Sequence, residues 1–145
     1  MESLLISACL LGADCKYSGG NNRLPDEQLR RLREKYRLVP VCPETAGGLP
    51  IPRQPSERLG DKVVSRLGAD VTGEFCKGGA AALELSKRFG CKKALLKENS
   101  PSCGSGRIYD GSFTGTLTAG DGVAAAMLKA AGVSVYGESA LEAIL

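Results

Sequence analysis

Four short apolar runs divide this chain, and helix-like segments alternate with them. The runs lie at residues 4–8, 38–42, 92–97 and 133–136. Strands that alternate with helices pair in parallel, because each crossover carries the chain back to the same end of the sheet. In such a sheet the carboxyl ends of all the strands face one crevice, and ligands bind there. The pattern therefore predicts both a fold class and the place to look for chemistry.

The connecting segments fill in this outline. Asp26 puts a carboxylate in the first turn of a helix, and Leu29, Leu32 and Tyr36 recur at the spacing of one buried face. Pro40 within the second run suggests an edge strand or a bulge. Residues 43–60 hold four prolines and several glycines and read as an ordered functional loop or a strained excursion. Residues 62–72 suit a short hairpin across Gly68. A long helix is predicted over 74–89, with Ala80, Ala81, Leu83, Leu85 and Phe89 on its apolar side and Gly90 as its stop. Residues 107–117 suit a small ribbon. A helix follows Asp121 and closes at Gly132, and Ser139 caps a short last helix. The expectation is one α/β domain over 1–145, a Rossmann-like three-layer unit with a mainly parallel sheet of about four strands.

Composition limits the setting. Hydrophobic residues make up 43% and charged residues 24%, as in soluble globular proteins. No apolar run nears the roughly 20 residues that span a bilayer, so no membrane partner is expected. The N-terminus passes directly into a strand without the features of a signal peptide, and a cytoplasmic setting is expected. Thiols stay reduced there. Six cysteines with no histidine then favour a metal or catalytic reading over a disulfide framework. The net charge of +3 is modest, but Arg23, Arg30, Arg31, Arg33, Lys35 and Arg37 cluster. They form either a solvated helix face or a phosphate-facing patch for a nucleotide or RNA.

The cysteines sort by context. Cys9, Cys42 and Cys103 stand in polar, tightly turned segments at or just beyond the ends of the first three strands. Three loops would thus bring three thiols to one crevice, as a soft metal centre with an open position requires. Cys76, inside the long helix, reads as a small buried apolar residue, and Cys91 as incidental. Cys15 is either a second thiol of the same site or a packing residue. Two other readings compete. One is a non-catalytic zinc module, although close-spaced cysteine pairs are missing. The other is a carrier bearing a persulfide on Cys15 or Cys103. A glycine-rich phosphate fingerprint after the first strand is also missing.

Three segments carry a family resemblance. They are Ser7-Ala8-Cys9-Leu10-Leu11-Gly12, Val41-Cys42-Pro43-Glu44 with Gly47-Gly48-Leu49-Pro50-Ile51-Pro52-Arg53, and Lys97-Glu98-Asn99-Ser100-Pro101-Ser102-Cys103-Gly104. In content and order they resemble the signatures of the YbbK-like proteins, a small bacterial family that includes the [4Fe–4S] 2-thiouracil desulfidases. The resemblance spans essentially the whole chain.

It implies a [4Fe–4S] cluster held by Cys9, Cys42 and Cys103, with the fourth iron free of protein ligands. It also implies Glu44 and Ser100 as the catalytic polar residues, the first carrying protons and the second contacting substrate or placing water. An open iron is a Lewis acid that a soft thiocarbonyl sulfur would prefer; water could then attack the carbon, and sulfide would leave with no net redox change. Gly12 and Gly104 offer backbone amides to the cluster, or serve only as tight turns. Asn22, with Asn21 and Arg23, is a candidate to line the pocket, and Ser102 a candidate substrate contact. Arg53 either pairs with Glu57 in a clamp or touches substrate. Lys97 is a charge in an unusual place, at a strand end. The implied partner is a thiolated base or nucleoside, with thiolated RNA open.

Overall fold

The computed structural model describes residues 1–145. The first elements are β1 (Glu2–Ser7), a 3-10 turn (Ala8–Leu11), α1 (Asp26–Lys35), β2 (Tyr36–Val41) and the one-turn α2 (Pro43–Ala46). They are followed by β3 (Ser56–Leu59), β4 (Lys62–Ser65), α3 (Thr72–Arg88) and β5 (Lys93–Leu96). The chain ends with β6 (Arg107–Tyr109), β7 (Leu117–Ala119), α4 (Val123–Ala130), β8 (Ser134–Gly137) and a 3-10 segment (Glu138–Ala143).

The four predicted runs form one parallel sheet in the order β2-β1-β5-β8. Side-chain alternation along the inner strands builds two cores. Leu4, Ile6 and Leu95 face α1 and the C-terminal segment, packing with Leu29, Leu32, Leu141 and Ile144. Leu5, Ala94 and Leu96 face the other way, against Ala82 of α3 and Ala124, Ala125 and Leu128 of α4. The result is the expected three-layer α/β arrangement. Pro40 lies in β2 at the sheet edge, where a missing donor is tolerated.

Several details differ from the sequence reading. The proline-rich stretch contains β3, which pairs with β4 around Gly60. Across Gly68 there is only a single Val64–Asp70 bridge. Ser139 does not cap the last helix; it lies within the 3-10 segment, where its hydroxyl donates to Glu98. Cys76 is exposed rather than buried. The buried side of α3 is Phe75, Gly78, Gly79, Ala82 and Ser86, so Ala80 and Phe89 face solvent.

Close approach explains that face. A Cβ on Gly78 would lie 1.8 Å from the Pro43 carbonyl oxygen, and one on Gly47 would lie 1.9 Å from that of Glu74. Helices α2 and α3 therefore touch backbone to backbone, and larger residues are displaced to the flanks. Three of the six residues in the basic cluster, Arg23, Arg30 and Arg31, are paired with acids. Arg30 bridges Glu27 and Glu34, Arg31 reaches Glu142, and Arg23 pairs with Asp26.

Candidate functional site

The chain reverses its direction of travel across the sheet at β1, with β2 added on one side and β5 on the other. A crevice opens beyond the strand ends at such a point. Here it is a cavity of about 430 Å³ whose wall includes Cys9, Cys15, Cys42 and Cys103. Asn22, Glu44, Arg53, Ser100 and Ser102 share the same wall. Asn21 and Arg23, the other two candidates beside Asn22, do not line it: Asn21 donates to Asp14 and Arg23 pairs with Asp26.

Each strand-end thiol is fixed by local structure. Cys9 sits in the 3-10 turn after β1, and its carbonyl accepts from the amides of Gly12 and Asn22 at 3.2 and 3.0 Å. The Asn22 side-chain amide also points at Cys9 Sγ, 3.5 Å away. Cys42 precedes α2, and its carbonyl accepts from the Ala46 amide at 2.9 Å and from the Thr45 hydroxyl at 3.2 Å. Cys103 lies in the loop after β5. That loop is pinned by the start of α4, where the amides of Val123 and Ala124 bond the carbonyls of Pro101 and Ser102 at 2.8 and 2.9 Å. These helix-start amides have no partner within the helix, and the loop supplies one. The Gly12 and Gly104 amides bond the Cys9 and Ser100 carbonyls, so the tight-turn reading is the one realised.

Hydroxyl and amide donors surround two of these sulfurs. Cys103 Sγ accepts from Ser7 Oγ at 3.4 Å, with Ser102 Oγ 3.6 Å away and its proton turned to Glu44, and Cys9 Sγ faces the Asn22 amide. Donors of this kind tune ligating sulfurs. Burial pushes the Cys103 thiol up to about 12 and raises that of Cys9, with the neighbouring donors opposing the shift. Cys15 is buried against Cys42, and burial pushes its thiol up to about 12. Thiols this shielded become thiolates when a cation compensates them.

Glu44, on α2, lies between two partners. Arg53 Nε donates to its Oε1 at 3.0 Å, and Ser102 Oγ donates to its Oε2 at 2.9 Å. The remaining guanidinium nitrogens of Arg53 bond the carbonyls of Pro50 and Cys15, so the protein itself engages the whole group. The expected pairing of Arg53 with Glu57 does not occur, because Glu57 instead accepts the amides of Gly111 and Phe113. Ser100 Oγ accepts the amides of Ser102 and Cys103 and lies 3.0 Å from Ser102 Oγ. Since the single Ser102 proton points to the carboxylate, Ser100 is the donor between the two serines. The order of donation is Ser100 to Ser102 to Glu44.

Lys97 reaches the cavity wall, as its unusual position suggested, and pairs with Glu138 at 2.8 Å. Tyr17, Arg66, Tyr109 and Phe113 also line the cavity, and sequence reading did not single them out. They lie in loops and ribbons with no strong periodicity. The glycine-rich run around Phe113 was the only available signal.

The donor set bears on the kind of group the site can hold. Soft thiols from three strand ends suit an iron–sulfur cluster. No three cysteine, aspartate or glutamate side chains converge tightly enough to hold one metal ion. As placed, the thiols do not form the closed four-ligand set of a structural zinc site. A carrier persulfide on Cys15 or Cys103 would have to form on a thiol that is 8% or 5% exposed.

Comparison with known proteins agrees with this geometry. A family model described as 2-thiouracil desulfurase matches residues 4–140. The chain is 41% identical over 152 residues to the protein YbbK of Bacillus subtilis (strain 168), covering 98% of this chain and 99% of that one. It is also similar to the solved structure of TudS, a [4Fe–4S]-dependent thiouracil desulfidase. The TM-score is 0.94 and the identity 46%, over 99% of this chain and 95% of the other. The chain belongs to the 2-thiouracil desulfurase family.

Proposed function

We propose that this protein is a desulfidase that removes sulfur, as sulfide, from a thiolated pyrimidine of the 2-thiouracil type. The observation that carries the reading is the meeting of three strand-end thiols with a carboxylate–hydroxyl chain in one cavity. Cys9, Cys42 and Cys103 would hold a [4Fe–4S] cluster, the group on which TudS depends. When bound, that cluster supplies a Lewis-acidic iron suited to a soft sulfur.

The remaining work falls to the chain's own side chains. In the overall reaction water replaces sulfur on the ring carbon, the products are a carbonyl and hydrogen sulfide, and no electrons are gained or lost. Glu44 accepts a proton from the attacking water and returns one as sulfide departs. Arg53 fixes one carboxylate oxygen, which leaves the other for proton traffic. Ser102 and Ser100 extend that oxygen into the cavity wall, and Ser100 orients water or the substrate edge once its proton turns from Ser102 to the guest. Asn22 acts on Cys9 and so orders the cluster side of the pocket.

The test is anaerobic reconstitution with iron and sulfide, followed by incubation with 2-thiouracil. Uracil and sulfide should appear in equal amounts over many turnovers. A fully loaded protein that releases no sulfide from any thiolated pyrimidine would overturn the reading.

A further inference from the structure

We propose that Phe113 is a specificity-determining residue whose ring packs against the flat face of the substrate heterocycle; this rests on the desulfidase reading above. Phe113 has φ of 58°, the left-handed region that an aromatic residue seldom adopts. Such a conformation persists only where the surroundings enforce it. Here the enforcement comes from Glu57. That carboxylate is 8% exposed, and its Oε1 accepts the amides of both Gly111 and Phe113, at 3.0 and 3.1 Å. A buried charge from the β3 strand thus holds the loop after β6 in one shape.

Phe113 belongs to neither hydrophobic core. It is half-buried, and it lines the cavity that holds Cys9, Cys42 and Cys103. The Arg66 guanidinium lies over it, 5.9 Å from the ring centroid, and steadies it. An aromatic residue whose left-handed backbone is fixed by a buried carboxylate, and which lines a cavity rather than a core, is suited to a flat aromatic guest.

Three variants test this on the anaerobically reconstituted full chain. Phe113→Gly removes the ring and the backbone strain together. It should raise KM for 2-thiouracil about tenfold while kcat changes little, as loss of one aromatic contact implies. Its melting temperature should not fall, because glycine accepts the left-handed backbone. Phe113→Tyr should keep KM near the wild-type value, and Phe113→Leu, of similar bulk, should not. An unchanged KM in the Gly and Leu variants, or a lower melting temperature with KM unchanged, would overturn the inference.

Binding of 2-thiouracil, read by ligand-observed NMR, separates this inference from the function. Turnover with a KM indifferent to Phe113 removes the ring's role and leaves the desulfidase. Binding that depends on Phe113 without any turnover removes the desulfidase and leaves the ring's role. A loaded protein that neither binds nor converts the probe overturns both.

Discussion

Ser102 donates its hydroxyl proton to Glu44 across 58 residues of chain, and this contact ties the loop after β5 to the short helix after β2. It joins two of the three cysteine-bearing segments through polar atoms alone. The carboxylate is thereby held beside the thiols without being one of their company.

The first prediction concerns that carboxylate. Glu44→Gln preserves shape and one acceptor oxygen but cannot take up a proton. Cluster content should stay at the wild-type level, while turnover falls by about 10²–10⁴-fold, the usual contribution of a positioned acid–base group. Iron analysis with a sulfide-release assay on the same sample checks both halves. Normal turnover would remove Glu44 from the proton path.

A second prediction concerns how α2 is seated. Gly78→Ala would put a Cβ 1.8 Å from the Pro43 carbonyl oxygen, a contact with backbone that no side-chain rotation relieves. It should cost about 1–3 kcal/mol of stability and displace Glu44 as α2 shifts. Gly73→Ala in the same helix meets nothing within 4 Å and should be neutral or stabilising by about 0.5 kcal/mol. Thermal unfolding of the pair provides the comparison.

The cysteines give a third. Cys15 is buried beside Cys42, but it stands in the loop beyond the 3-10 turn and not at a strand end. Cys15→Ala should retain the cluster, and Cys76→Ala, at an exposed helix position, should leave iron content and turnover unchanged. Complete loss of iron in Cys15→Ala would make Cys15 a ligand.

Stability should also respond to pH through Asp121. Burial alone would raise this carboxyl, but Lys129 at 2.8 Å and the Gly106 amide at 2.7 Å outweigh it and hold it below its usual 3.8. A carboxyl depressed in the fold stabilises above the unfolded value and loses that contribution as pH falls through the folded one. Asp121→Asn should therefore be less stable than wild type near neutrality. The gap should close once the solution is more acidic than the folded carboxyl's own range. Melting temperatures across pH measure it.

Much of this architecture is written in local patterns. Leu4, Leu5 and Ile6, like Ala94, Leu95 and Leu96, mark sheet strands because both neighbouring layers need them. Cys9, Cys42 and Cys103 are legible because each follows such a run into a polar turn. What stays hidden depends on distant partners. The apolar side of α3 is set by Gly78, which admits the Pro43 backbone, and by Gly79, which admits the Met127 side chain, and not by their own hydrophobicity. The pairing of Arg53 with Glu44, and not with Glu57, depends on where the proline-rich loop folds back. Phe113 lines the cavity from a loop whose amides Glu57, from another ribbon, accepts.

Cys9, Cys42 and Cys103 are proposed to hold an iron–sulfur cluster together, and the other roles follow from that. The direct test is iron and acid-labile sulfide per chain after anaerobic reconstitution, in wild type and in the three single alanine variants. Wild type should take up a full [4Fe–4S] complement, and each of Cys9→Ala, Cys42→Ala and Cys103→Ala should lose it. A full complement surviving in any one of them would contradict the assignment.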